Sequence, residues 1–150
     1  MQLSVKLLAL LIAAFAGVTM AVQGTMNSAL SKTLGLLETT FVVNLVGLIL
    51  LVLLLFVFRM GDGSLAAFGQ APWYLYLGGI LGVIITYGVI KSIPKVGVAP
   101  ATTAIILGQV LTAGLIDHLG LFGMNKLPFN WCRVAGTLLM AGGAWLILRK

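Results

Sequence analysis

Apolar residues in this chain come in long unbroken blocks, and charge, glycine and proline fall in the intervals between them. Crossing a hydrocarbon core of about 30 Å takes about 20 helical residues at 1.5 Å each. Five blocks come close to that length or exceed it, over residues 5–31, 39–58, 73–92, 98–116 and 131–148. Strands of a transmembrane barrel alternate over about ten residues, and these blocks do not alternate. The pattern predicts an all-α, polytopic membrane protein, a bundle of five transmembrane helices in a single domain over residues 1–150. Residues 59–72, rich in Gly, Asp, Ser and Gln, read as an extramembrane loop, and 118–130, with Gly120, Gly123 and Pro128, as another. Pro94, Gly97 and Pro100 break the chain between the third and fourth helices. Trp73, Tyr74, Tyr76 and Trp131 stand at segment starts, where amphipathic rings prefer the membrane interface.

Composition sharpens the choice of solvent. Charged residues make up 8% of the chain and hydrophobic ones 61%, against about a quarter charged in soluble domains, and the mean hydropathy is +1.16. Nine basic and three acidic side chains are too few to clothe a soluble core, so a lipid bilayer is the expected partner. The net charge of +6 does not imply nucleic acid, because the basic residues lie singly between apolar runs and form no stripe. Cys132 is the single cysteine and permits no intrachain disulfide. The first block, with Lys6 ahead of it and Ala16, Gly17 and Ala21 within it, has the outline of a secretory signal. Its continuation into polar positions and the four blocks after it predict a retained membrane helix.

With five crossings, Lys6, Arg59, Lys126 and Arg133 meet one membrane face and Lys32, Lys91, Lys95, Arg149 and Lys150 the other. Orientation normally follows the face richer in Lys and Arg. The near balance gives no strong direction, and it suggests an antiparallel homodimer, or a heterodimer with a related half.

The polar positions inside the blocks carry the candidate chemistry. Thr19, Gln23 and Asn27 repeat every four residues and so share one helical face. Asn44 lies in the second block, and Gln109 and Thr112 in the fourth. An unsatisfied amide in hydrocarbon costs roughly 2–7 kcal/mol, so each must meet another helix or a wet cavity. Polar contacts between membrane helices average only about 0.6 kcal/mol, and any one of these amides is most simply packing. Amides on three helices exceed what packing needs, and polar residues at membrane depth tend to line substrate paths. Gln23, Asn27, Asn44, Gln109 and Thr112 are therefore the expected substrate-binding residues. Helical rise sets Gln23, Asn27 and Asn44 toward one face of the membrane and Gln109 and Thr112 toward the other, so that an inverted partner brings the two sets to similar depths.

Asp117, near the end of the fourth helix, fits either ion coupling or a helix-end ion pair with Arg133. His118 beside it reads as a solvated loop histidine. Gly78, Gly79 and Gly82, with Gly136, Gly142 and Gly143, read as close-packing positions on the third and fifth helices. No metal-ligand spacing, catalytic serine motif or phosphate-binding glycine loop occurs, so neither enzyme activity nor a metal or cofactor is expected.

Several runs together resemble a known family: A-V-Q-G-T-M-N-S-A-L from Ala21, N-L-V-G-L from Asn44, P-K-V-G-V-A-P-A from Pro94, G-Q-V-L-T-A-G-L-I-D-H-L-G-L-F-G from Gly108, and R-V-A-G-T-L-L-M-A-G-G from Arg133. The chain resembles the YdcZ-like family of the drug/metabolite transporter superfamily over essentially its whole length. The resemblance implies a multi-pass protein of the bacterial inner membrane, equivalent to one half of a ten-helix exporter. The superfamily's small multidrug resistance proteins carry an essential glutamate on the first helix. This chain has no acid there, only Gln23 and Asn27, so their proton-for-cation exchange does not carry over. The expected activity is secondary transport, as an exporter, of a small organic solute by a dimer of half-transporters that alternates access. A dual-topology ion channel and a non-transporting membrane scaffold are the alternatives.

Overall fold

The computed structural model describes residues 2–127 and 130–149. Pro128, a predicted loop proline, and Lys150, one of the counted charges, lie outside them. The described chain is helical, without a strand, and has five helices long and apolar enough to cross a membrane. They are α1 (Gln2–Leu34), α2 (Leu36–Val52), α3 (Gly78–Val96), α4 (Val98–Leu119) and α5 (Trp131–Leu148). The fold is the five-helix polytopic class that the apolar blocks predict. A π-helical stretch, Leu53–Val57, prolongs α2, and a 3-10 turn, Trp73–Leu77, leads into α3. Lys6 and Lys32 lie about 39 Å apart along α1, close to the ~40 Å of a bilayer with its headgroup regions, so both ammonium groups can reach water.

The helix ends move where backbone chemistry demands it. The connection between α1 and α2 shrinks to Gly35 alone, at φ 98° and ψ 166°. A Cβ there would also run into the Glu38 carboxylate. Gly97 joins α3 to α4 in almost the same conformation, φ 93° and ψ 164°, a region that L side chains avoid. The break is therefore at Gly97 and not at Pro94, which the last turn of α3 accommodates. Pro100 sits in the first turn of α4, where an N–H would have no helical partner.

The chain clusters into two compact units, residues 1–94 and 95–150. In the first, α1 packs against α2, and Gly24 of α1 faces α3 so closely that a Cβ would lie 2.8 Å from Val89 Cγ1 and 3.2 Å from Ile93 Cδ1. Burial in this unit gathers at Asn27, Ser28, Thr39, Thr40, Ile90 and Ile93. In the second unit α4 packs against α5, and the loop after α4 folds back so that Leu127 N–H donates to the Asp117 carbonyl at 2.9 Å. Most large apolar side chains of both units point outward, as lipid solvation requires.

The glycines do not all do what their spacing suggests. A Cβ at Gly78, Gly79, Gly82, Gly136, Gly142 or Gly143 would meet nothing within 4 Å. Close helix approach inside the first unit uses Gly24 instead, four residues before the buried Ser28, a small-xxx-small pair on α1.

Candidate functional site

The polar stripe of α1 forms as its spacing requires. Thr19, Gln23 and Asn27 line one open groove of about 300 Å³ together with Val18, Val22 and Met26. Gln23 is exposed, and Asn27, 9% exposed, sits where the groove meets the buried ridge of Gly24 and Ser28. The Thr19 hydroxyl donates to the Ala16 carbonyl at 2.8 Å within its own helix. No described residue hydrogen-bonds the side-chain amide of Gln23 or of Asn27. Among the described residues, these amides are thus not holding helices together.

Asn44 belongs to a second groove, of about 410 Å³, formed by Thr40, Phe41, Asn44 and Leu48 of α2 with Val83 of α3. Its Nδ2 donates to the Thr40 carbonyl at 2.8 Å, which leaves its oxygen and second N–H for another partner. Asn27 lies eight residues before Gly35 and Asn44 nine after it, so the two stand at similar heights, about 12–14 Å along their helices from the same corner. The structure brings Gln23 and Asn27 together and sets Asn44 in a neighbouring groove of the same unit. Gln109 and Thr112 stand exposed on α4 in the other unit, and the Gln109 amide also bonds to no described residue.

Asp117 and Arg133 approach within 3.7 Å, with side chains 43% and 55% exposed. Such an exposed, loosely formed pair contributes little to stability. Sequence reasoning passed over Ser28, Thr39 and Thr40, which are buried polar residues of the first unit. Thr40 donates its hydroxyl to the Leu36 carbonyl at 2.9 Å. Thr39, fully buried, has an Oγ1 with no hydrogen-bond partner among the described residues. The available signal was the Thr-Thr pair at the head of an otherwise apolar block, four residues before Asn44.

Comparison with known proteins agrees with this architecture. Residues 8–146 match a family model described as "Putative inner membrane exporter, YdcZ". The chain is 31% identical to the inner membrane protein YdcZ of Escherichia coli (strain K12), over 95% of each sequence. No solved structure matches the chain. Together with five membrane-spanning helices, these matches place the chain in the inner membrane as a multi-pass protein, and it belongs to the YdcZ-like family of exporters in the drug/metabolite transporter superfamily.

Proposed function

We propose that the protein exports a small neutral or weakly polar organic solute as a dimer of half-transporters, each contributing Gln23, Asn27, Asn44, Gln109 and Thr112 to a shared polar cavity. The observation that supports this most is the α1 groove, where two amides at membrane depth have no hydrogen-bond partner among the described residues. Leaving them against lipid would cost roughly 2–7 kcal/mol each, so a wet cavity or a second copy must cover that face. The near balance of basic residues between the two membrane faces favours an inverted second copy, and inverted halves around a midplane site rock to alternate access. Asp117, paired with Arg133 at a helix end, has no part in the solute cavity.

A thermal-shift screen of the purified chain against neutral metabolites and cationic dyes selects a solute, because ligands of the folded form raise its apparent stability. Transport of that solute into vesicles should saturate with concentration, and Asn27→Leu and Gln109→Leu should reduce it. Unchanged transport in both variants would remove the assignment. Reporter fusions to the C-terminus should appear on both sides of the membrane, and a single orientation in every molecule would replace the homodimer by a heterodimer with a related half.

A further inference from the structure

A third groove, of about 500 Å³, lies between α4 and α5. Its walls are largely apolar: Val110, Leu111 and Leu115 on one side, Val134 and Leu138 on the other, with Thr137, whose hydroxyl donates to the Arg133 carbonyl of its own helix, beside them. Polar groups gather at one end, where His118, Asn130 and Arg133 line it. From His118 back to Val110 the groove runs about 12 Å along α4. By helical register Gln109 and Thr112 lie on the opposite face of α4, so this groove is separate from the proposed solute contacts.

The mouth is basic. Arg133 meets one carboxylate, Asp117, at 3.7 Å, too far for a tight bidentate pair. Lys126 lies at the same end, since a Cβ at Gly120 would stand 3.3 Å from Lys126 Cβ. Arg133, with its carboxylate contact to Asp117, therefore has a second basic residue placed at the same end of the helices. An apolar channel open to lipid and ending in a basic mouth at the headgroup level has the complementarity of an anionic amphiphile.

We infer that this groove is a binding site for an anionic phospholipid, with an acyl chain between α4 and α5 and its phosphate at Arg133. Asp117 competes with the phosphate for the guanidinium and limits the affinity. Gly114 lines the groove wall, and a Cβ there meets nothing within 4 Å, so a larger side chain at that position starts in open space and extends into the channel.

Native mass spectrometry of the full-length protein, released from micelles containing equal phosphatidylglycerol and phosphatidylcholine, tests the site. The wild type should retain phosphatidylglycerol preferentially. Arg133→Gln should lower that preference about fivefold, the effect of one basic group at a membrane surface. Asp117→Asn should raise it, and Gly114→Leu should abolish it. A merely structural ion pair would move Arg133→Gln and Asp117→Asn in the same direction, and that result would overturn the inference. So would equal retention of the two lipids, full retention in Gly114→Leu, or displacement of the lipid by equimolar glycerol 3-phosphate, which would mark a site for free phosphate.

Discussion

The groove along α1 and the groove between α4 and α5 have largely apolar walls, but they place their polar groups differently. In the first, Thr19, Gln23 and Asn27 run along the wall at membrane depth. In the second, the wall is apolar apart from Thr137, whose hydroxyl is bonded within its own helix, and Asn130, His118 and Arg133 stand at one end. Amides spaced along a wall can exchange hydrogen bonds with a solute as it passes. A charged mouth on an apolar channel holds an amphiphile by its head. On the proposed reading, the difference separates a translocation surface from a lipid seat.

The largest expected effect concerns how each groove is founded. Gly24→Leu forces a side chain into the contact of α1 with Val89 and Ile93 and should cost about 3 kcal/mol. Gly114→Leu, placed in open space, should leave the melting temperature nearly unchanged. Equal losses in thermal unfolding would show that the two grooves are packed alike.

Next in size is the amide itself. Asn27→Leu removes hydrogen bonds that only a solute or a second copy can supply, so transport should fall about tenfold, the worth of one buried hydrogen bond left unmade. Because the amide bonds to nothing else among the described residues, thermal stability should hold. A drop in stability with intact transport would make Asn27 a packing residue.

Thr39 offers a smaller test of how dry the first unit is. Its buried hydroxyl has no partner among the described residues, so Thr39→Val should raise stability by about 1 kcal/mol. A loss instead would reveal that a water or solute meets the hydroxyl. The smallest effect is expected at the other groove's mouth, where a double-mutant cycle on Asp117 and Arg133 should return about 0.5 kcal/mol, as for other exposed pairs. A coupling of several kcal/mol would mean that the mouth is sealed from water.

Five helices were legible from the apolar blocks because the membrane's thickness fixes their length, and α5 begins and ends where the blocks place it. The helix corners were less legible. Proline draws attention as a breaker, yet Pro94 lies within the last turn of α3 and Gly97 makes the turn, because positive φ rather than a missing N–H stops these helices. The α1 stripe was legible because a four-residue spacing alone fixes a shared helical face. Glycine spacing misled for the opposite reason: a small residue permits close approach, but only the neighbour's position decides whether it happens. Gly24 has α3 against it, and Gly78, Gly79 and Gly82 have open space. The groove between α4 and α5 was not legible either, since its lining comes from two helices and the loop joining them.

Water access along α1 tests the central claim most directly. In a Cys132→Ser background, Gln23→Cys, Asn27→Cys and Phe15→Cys variants in intact membranes are treated with a charged, water-soluble thiol reagent. Reaction at positions 23 and 27, with none at the outward-facing position 15, is the expected result. Gln23→Cys and Asn27→Cys variants as inert as Phe15→Cys would place the amides in a dry contact and contradict the account.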